Sequence, residues 1–297
     1  LMPERSTEIE FAVEAGMFDG RFGIEAVYFN QTTNDALLPI TPSAGSGFTR
    51  SQLQNLGQLK SWGVEISTQT RVIQRPNLSV DLNVNPSFLK QWVSDMGEVD
   101  DFRLGSRRRW QSLYQGMWPG IWIAPVADPN QPYTTSVPIA QMTSINQLSA
   151  NTLKNSAGSD STVVIGRPRP NQTIDFGAVI RIGNLTINNV FEGARGFVQS
   201  NETLHLRMAL RSNQLMADVQ KAVADPSTDP ALKQSLVNEY GLKHNGIISN
   251  TIFDGDYLRW AEITASYRLP EAWSSVFSSS STTVSLGIKN VMVFSDY

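Results

Sequence analysis

The sequence predicts an all-β fold: an antiparallel transmembrane β-barrel, present here in part, with short helices in one external loop. Three observations lead to this prediction. Long strands alternate apolar and polar residues, links between strands alternate between short and long, and aromatic residues flank the strands. A tilted strand needs about 9–11 residues to cross a bilayer, and barrel strands turn apolar side chains outward and polar ones inward.

The first predicted hairpin spans residues 7–30. Its two strands meet at Asp19-Gly20, which predicts a two-residue turn because both positions tolerate positive φ. Apolar residues alternate with a face rich in glutamate, which is the strand period of two. One face of the first strand carries Ile9, Phe11, Val13, Ala15 and Met17, and the other carries Glu8, Glu10, Ala12 and Glu14.

Two further hairpins and two late strands repeat this pattern. The second hairpin spans residues 63–88 around a short turn at 74–77, and the third spans residues 172–191 around Gly183-Asn184. The late strands cover Tyr257–Leu269 and Thr282–Lys289. By length and turn criteria the chain holds about nine strands.

The links between strands are unequal in length. Short links at 19–20, 74–77 and 183–184 alternate with long ones at about 31–61, 89–171 and 194–256. Outer-membrane barrels have short periplasmic turns and long external loops. Residues 89–171 are therefore predicted to form one external excursion, with room for an extra strand pair.

Aromatic residues lie at the ends of the predicted strands. Phe18 and Phe22 flank the first turn, Tyr28 and Phe29 lie at the far end of the hairpin, and Trp62 lies at the next strand start. Interfacial girdles of a barrel have this placement. Ordinary core aromatics at strand ends would give the same pattern, and both interpretations stay open here.

Helical spacing of apolar residues occurs within the third long link. Residues 201–224 carry leucines and valines at helical intervals, and Asp229-Pro230 is a suitable N-cap and first turn for a second helix to about Tyr240. We expect these helices to lie over the mouth of the barrel.

Composition argues against several classes of function. The 297 residues carry a formal net charge of −3, which gives no reason to expect nucleic-acid binding. The chain has no cysteine, so thiolate catalysis is excluded. His205 and His244 lack zinc-site spacing, and Asp254-Gly255-Asp256 is better explained as a turn than as a calcium loop. We therefore expect no enzyme, no metal site and no cofactor.

The basic run at residues 107–109 begins the best candidate for ligand contact. Aromatic residues follow it at intervals through an external loop, where they could stack on a sugar or hold an anionic ligand with the arginines. The competing interpretation is that these aromatics pack the loop against its neighbours. The candidate residues are Arg108, Trp110, Tyr114, Trp118 and Trp122.

Several segments, in order, resemble TonB-dependent outer-membrane receptors of the SusC/RagA-like group. Leu1–Glu10 resembles a strand start of the form L-x-P-E-x-S, and Asn55–Glu65 a start of the form N-x-G with a later G-x-E. Each match is weak alone, but their order covers almost the whole chain. The remaining matches are Gly166–Pro170, Asp256–Pro270 and Lys289–Val291.

The resemblance implies a location and an activity. Such receptors are multi-pass barrels of 22 strands in the Gram-negative outer membrane, with a lumen closed by an N-terminal plug. They import bulky, scarce ligands such as glycans, siderophore-iron or vitamins, using energy relayed by TonB. The implied partners are the TonB complex through the plug region, membrane lipid and a SusD-like surface lipoprotein.

The resemblance also predicts that residues 1–297 are the C-terminal part of such a barrel, without its plug. No signal peptide is recognisable in residues 1–5, and family members continue beyond Asp296-Tyr297, although Tyr297 could be a terminal aromatic. The alternative from a different class is a soluble β-sandwich that binds carbohydrate through Trp110, Trp118 and Trp122. That alternative requires the face of Ile9, Phe11 and Val13 to pack on a second sheet.

Overall fold

A computed structural model describes residues 1–40, 47, 52–55, 57–97, 102–104, 111–209, 214–243 and 247–296. The first ten strands are β1 Arg5–Met17, β2 Phe22–Asn34, β3 Leu37–Ile40, β4 Gln52–Asn55, β5 Gln58–Arg75, β6 Leu78–Asp95, β7 Phe102–Arg103, β8 Gln111–Leu113, β9 Ile121–Pro125 and β10 Tyr133–Thr135. The others are β11 Leu148–Ala150, β12 Thr162–Gly166, β13 Gln172–Ile182, β14 Leu185–Arg195, β15 Val198–Ser200, β16 Ile252–Asp254, β17 Tyr257–Arg268 and β18 Thr283–Ser295. The α-helices are α1 Glu202–Ala209, α2 Gln214–Ala224, α3 Pro230–Lys243 and α4 Glu271–Ser274.

The long strands form one antiparallel sheet in chain order, β1-β2-β5-β6-β13-β14-β17-β18. Each of these long strands pairs with the long strand that precedes it and the one that follows it along the chain, as in an up-and-down barrel. In the described part of the chain this sheet has eight strands, against the predicted number of about nine, and it is open, with β1 and β18 at its edges. The prediction of a partial antiparallel barrel is confirmed.

The first turn differs in length from its prediction. Asp19 and Gly20 do take the two central positions, with φ of 56° and 77°, and the amide of Arg21 donates to the carbonyl of Phe18 at 3.2 Å. However, Phe18 also has positive φ, at 57°, and β1 already ends at Met17. The link therefore has four residues, 18–21. The left-handed backbone of Phe18 ends the pairing of β1 with β2 before the two central turn residues.

The other short links lie at the same end of the sheet. Gly183-Asn184 forms a two-residue turn, as predicted. The predicted turn at 74–77 was too long, because Gln74 and Arg75 still pair with Ser79 and Leu78 and only Pro76-Asn77 turn. The fourth link, residues 269–282, contains α4 and a short 3₁₀ helix. The long links leave the opposite end, which confirms the predicted alternation.

The two faces of the sheet differ in polarity. We call the face that carries Ile9, Phe11 and Val13 the outer face and the opposite one the inner face. These three outer side chains are 57, 66 and 66% exposed, so in the described residues no second sheet covers them. The sandwich alternative required such a cover, whereas an apolar face without one is what a membrane-spanning barrel presents to lipid.

The external excursion carries more structure than the predicted strand pair. Residues 102–166 contain a four-stranded sheet, β12-β9-β8-β7, and a two-stranded sheet, β10-β11. Strand β9 is buried along its whole length. Alternate residues of β9 therefore contribute to packing on both sides, which makes it the centre of the excursion.

Helices α1, α2 and α3 confirm the helical prediction for the described part of residues 201–240, and residues 210–213 lie outside the described residues. Asp229 caps α3, because its Oδ1 accepts from the amides of Ala231 at 2.8 Å and Leu232 at 3.0 Å. Helices α2 and α3 share one apolar cluster with the excursion. Its buried members are Met142, Ile145, Leu148, Met216, Val219, Val223, Val237 and Tyr240. Among the described residues, no helix is both long and apolar enough to cross a membrane.

Candidate ligand site at the external loops

The candidate site is a cleft where the loops leave strands β14 and β17. It encloses about 630 Å³ between the edge of β12 and the short strands β15 and β16. Most of its lining is apolar, and its charged members are Arg167, Asp254 and Asp256. The lining residues are Ile121, Val164, Ile165, Gly166, Arg167, Gly196, Phe197, Val198, Ile252, Phe253, Asp254 and Asp256.

Arg167 links the excursion to the end of the barrel wall. Its Nε donates to the carbonyl of Gly196 at 2.9 Å, and its guanidinium carbon lies 5.7 Å from the ring centroid of Trp118. The amide of Gly196 in turn donates to Oδ1 of Asp256 at 2.6 Å. These bonds connect Arg167 to Asp256 through Gly196 and hold the two charged side chains in a fixed arrangement.

Asp254 and Asp256 form the turn that leads into β17. The amide of Asp256 donates to Oδ1 of Asp254 at 3.0 Å, so the turn interpretation of this segment is correct. Arg195 lies 3.6 Å from the second carboxylate oxygen of Asp256. In the described part of the chain, no group of three or more histidines or acidic residues could hold a metal ion.

Two glycines allow the loops to approach closely. A Cβ on Gly166 would lie 2.6 Å from Cγ1 of Val198, and one on Gly255 would lie 2.6 Å from Cε2 of Phe197. Real Cβ atoms essentially never show such contacts. Gly166 therefore allows β12 to approach β15, and Gly255 allows the segment before β17 to approach Phe197.

The predicted aromatic residues separate into different environments. Tyr114 is half-buried and packs against the cluster of Trp118, Ile121 and Ile123. Trp122 belongs to another cluster with Ala124, Ile248 and Ile252. Both tryptophans are buried, at 6 and 8% exposure. For these two, the arrangement matches the packing interpretation.

Two of the five predicted ligand residues, Arg108 and Trp110, lie outside the described residues. The segment that follows them begins with β8 at Gln111, which pairs with Trp122 of β9. The structure therefore joins Tyr114 and Trp118 in one cluster and places Trp122 in another. Ligand contact by the five residues stays a prediction.

The inner face of the sheet carries pairs of opposite charge on neighbouring strands. Asp81 bridges Arg71 at 2.8 Å and Arg181 at 2.5 Å, and Glu192 pairs with Arg259. The inner face of β1 carries glutamates at positions 8, 10 and 14. The wall below the loops is therefore polar and charged.

A second recess lies beside helix α3. It encloses about 400 Å³ and is lined in part by Tyr133 and Asn238, whose side chains are hydrogen-bonded to each other. Burial raises the pKa of the Tyr133 hydroxyl above its ordinary value, so this group stays a neutral donor. The recess is polar, and its tyrosine holds the excursion to α3.

The sequence did not identify the charged residues of the cleft as site residues. Arg167 and Asp256 lie in segments that carried the family resemblance, but their pairing through Gly196 joins positions far apart in the chain. The sequence signal that could have identified these site residues is a glycine followed by a charged residue in two separate segments, Gly166-Arg167 and Gly255-Asp256.

Comparison with known proteins finds a family model for the first part of the chain and relatives over nearly all of it. Residues 1–118 match the family model for the β-barrel of TonB dependent receptor-like proteins. The chain is 25% identical to TonB-dependent receptor P3 and 26% identical to TonB-dependent receptor P26, both from Formosa agariphila, over 99% of its length. It spans about 30% of the length of these relatives.

The fold is also that of a solved transporter. The structure of the RagAB peptide transporter aligns with a TM-score of 0.72 at 18% identity, over 99% of this chain and 32% of that one. The RagAB peptide importer in its closed-closed state aligns with a TM-score of 0.70 at 16% identity. These structures confirm the barrel fold, and with the curated relatives they confirm the resemblance that the sequence motifs indicated.

Proposed function

We propose that this chain, which is part of a TonB-dependent receptor barrel of the outer membrane, forms one side of an importer for a bulky, scarce ligand. Residues 1–297 would be the C-terminal part of the barrel, with the plug encoded elsewhere in the receptor. The inner face would line the path of the ligand and the external loops would hold it. Nothing in this proposal assigns an enzymatic activity to the chain.

The observation that carries the proposal is the combination of a membrane-facing sheet with loops elaborated at one end. All long links leave that end and contain further sheets and helices, whereas three of the opposite links are short turns. A barrel used only as an anchor needs no such elaboration. The match of residues 1–118 to the receptor family supports the same conclusion.

The proposed ligand contacts are Arg108, Trp110 and Tyr114, with Trp118 and Trp122 holding the loop that presents them. A cleft of about 630 Å³, lined in part by Ile121 of β9, is large enough for part of a bulky ligand. Glycans, siderophore-iron and vitamins are the classes that the family implies. RagAB is a peptide transporter, so peptides join the classes worth testing.

The proposed partners follow from the receptor class. Energy would reach the barrel from the TonB complex through the plug region. A SusD-like surface lipoprotein would cover the external loops and deliver the ligand, and the two-protein name of the RagAB transporter is consistent with such a pair.

Uptake by intact cells tests the proposal. A strain lacking the gene of the whole receptor is compared with its parent for uptake of labelled glycan, siderophore-iron, cobalamin and peptide mixtures. We expect one class to be lost, and the same class to be lost when TonB is inactivated. Unchanged uptake of every class, or loss that does not depend on TonB, contradicts the proposal.

The soluble carbohydrate-binding sandwich is not favoured. It needs the face of Ile9, Phe11 and Val13 covered, and these residues are more than half exposed. Fractionation distinguishes the two classes directly. A barrel is recovered with the outer membrane and changes its gel mobility on heating, whereas a sandwich is recovered in the soluble fraction.

A further inference from the structure

Strand β12 forms one edge of the four-stranded sheet in the external excursion. One side of it pairs with β9, and in the described part of the chain no hydrogen bond joins residues 162–166 to any other segment. The opposite edge of the sheet, β7, has only two residues. Strand β12 is therefore the longer of the two edges, and its second side is open.

The ladder with β9 determines which backbone groups of β12 face the open side. In an antiparallel ladder, hydrogen-bonded pairs alternate with pairs whose N–H and C=O groups point away from the partner strand. Thr162 lies opposite Pro125, and because proline has no N–H, this pair is of the second kind. Val164, two residues later, has the same orientation. The N–H and C=O groups of Thr162 and Val164 therefore point to the open side.

Strand β12 lacks the features that commonly block an open edge. Charged side chains and prolines serve this purpose in many sheets, but the sequence of β12, TVVIG, contains neither. Val163 and Val164 are also 36 and 50% exposed. An uncharged edge with accessible backbone groups is suited to pairing with another extended chain.

The open side of β12 borders the cleft of about 630 Å³. Val164, Ile165 and Gly166 contribute to the lining of this cleft. At the far end of β12 the amide of Val198 donates to the carbonyl of Arg167 at 2.8 Å, so β15 already takes that end of the edge. An added chain can therefore pair with residues 162–164 and must stop before Gly166.

We propose that an extended peptide binds here as an additional strand on β12, exchanging main-chain hydrogen bonds with Thr162 and Val164. The free backbone groups of β12 recur every second residue, about 6.6 Å apart, and an extended peptide repeats its own donors and acceptors at the same interval. Glycans, iron chelates and vitamins have no such repeat.

The inference rests on the proposed import function and names the ligand class of the same cleft. Because the main chain supplies the hydrogen bonds, recognition should tolerate many peptide sequences. Cross-strand packing against Val164 should give a preference for β-branched side chains in the peptide.

Fluorescence anisotropy of the purified whole receptor in detergent tests the proposal. The probe is a fluorescein-labelled peptide of alternating threonine and valine, about seven residues long, so that it exceeds the length of β12. It is compared with the same peptide N-methylated at every residue, which keeps the side chains and removes the donors. We expect the methylated peptide to bind at least about ten-fold more weakly, since it loses both main-chain donors to β12.

Val164→Pro tests the receptor side of the same contact. Proline is tolerated on an edge strand where its missing N–H faces away from the sheet, so the ladder with β9 should remain. We expect about ten-fold weaker binding of the unmodified peptide. Val164→Thr keeps the N–H and the β-branched shape, and it should retain most of the binding.

Ser156→Pro is the matched control within the excursion. Ser156 occupies the second position of a turn in which the amide of Gly158 donates to the carbonyl of Asn155 at 2.9 Å, and proline suits this position. Peptide binding should be unchanged. Limited proteolysis shows whether the excursion is folded in each variant, and the comparison of the two peptides on wild type requires no variant.

Three results would overturn the proposal. Equal binding of the two peptides by wild type would show that main-chain donors are not recognised. An equal loss in Val164→Thr and Val164→Pro would assign the contact to the side chain. Absence of peptide binding, together with loss of a co-purifying surface lipoprotein in Val164→Pro, would show that the edge pairs with that partner instead.

These measurements are independent of the uptake experiment. TonB-dependent uptake of another ligand class, without peptide binding to the purified receptor, would contradict the peptide site and leave the import function standing. Peptide binding that depends on Val164, without TonB-dependent uptake of any class, would contradict the import function and leave the site on β12 standing.

Discussion

Asp81 on β6 accepts a hydrogen bond from Nε of Arg71 on β5 at 2.8 Å. The other carboxylate oxygen of Asp81 accepts from Arg181, which lies 100 residues later on β13. The side chain of Asp81 is 11% exposed, whereas the arginines are 42 and 50% exposed. One carboxylate therefore joins strands β5, β6 and β13, although the long excursion separates β6 from β13 in sequence.

Removing the charge of Asp81 should destabilise the barrel. In Asp81→Asn, two guanidinium groups lose their ion pair, and we expect a loss of about 1–2 kcal/mol, limited because water screens the half-exposed arginines. Urea unfolding of the whole receptor in lipid vesicles measures it. The control Asp160→Asn breaks a pair with Lys154 that is 50% exposed on both sides. A loss as large in the control as in Asp81→Asn would contradict the special role of Asp81.

Gly63 on β5 should tolerate no side chain. A Cβ there would lie 2.5 Å from both Cζ of Phe29 and the carbonyl oxygen of Phe88. We expect Gly63→Ala to cost about 2–3 kcal/mol, because the backbone of β6 cannot move away without breaking the ladder. The same urea titration measures this cost.

Gly23 on the neighbouring strand β2 provides the matched control. Its nearest neighbour for a Cβ is the carbonyl oxygen of Gln69 at 4.0 Å. Gly23→Ala should be neutral or stabilise by about 0.5 kcal/mol, since alanine loses less backbone entropy than glycine on folding. Equal costs at positions 23 and 63 would show that the close contact is not what matters.

Much of the sheet was predictable because its signal is local. Alternation in β1, β2, β13 and β14 depends on side chains two residues apart, and Gly183-Asn184 specifies its own turn. The full extent of β5 and β6 was less predictable. Beyond Trp62 and Phe88 the strands continue without the apolar alternation of a membrane span, so the sequence pattern does not mark their outer ends.

The candidate site was less predictable because its contacts join distant positions. Arg167 and Asp256 meet through Gly196, and no spacing in the sequence reports that relationship. In the sequence, Trp118 and Trp122 follow the arginine run at 107–109, so they resemble exposed aromatic residues that contact a ligand. Their burial depends on the course of β9 between two clusters, which only the tertiary fold determines.

The link between α2 and α3 should weaken in acid. Hydrogen bonds from the side chain and then the amide of Ser227 hold the pKa of Asp225 below its ordinary value. A lowered pKa means that this stabilisation is complete above the unfolded value of about 3.9 and is lost as pH falls through the lower folded value.

Hydrogen–deuterium exchange of the segment from Asp225 to α3 measures this effect. Asp225→Asn and wild type are compared at the same pH, so that the intrinsic exchange rate cancels. We expect slower exchange in wild type at pH 7 and no difference once the pH is well below about 3.9. A difference that persists unchanged in strong acid would show that the charge of Asp225 is not responsible.

The packing role of Trp122 and the proposed contact role of Trp110 should separate experimentally. Trp122 is 8% exposed within a cluster that includes Ile248 and Ile252. Trp122→Ala should cost about 3–5 kcal/mol within the excursion, because a large cavity remains. Limited proteolysis of the folded receptor should then cut the excursion faster, and Trp122→Phe should restore most of the resistance.

Trp110→Ala should give the opposite combination. We expect unchanged proteolysis and about ten-fold weaker binding of the ligand class identified by the uptake experiment, because a stacking ring contributes on the order of 1.4 kcal/mol to such a contact. Tyr114→Ala should weaken binding in the same way. If Trp110→Ala instead exposes the excursion to protease as strongly as Trp122→Ala does, Trp110 is a packing residue and the ligand contacts must be sought at the cleft of Arg167 and Asp256.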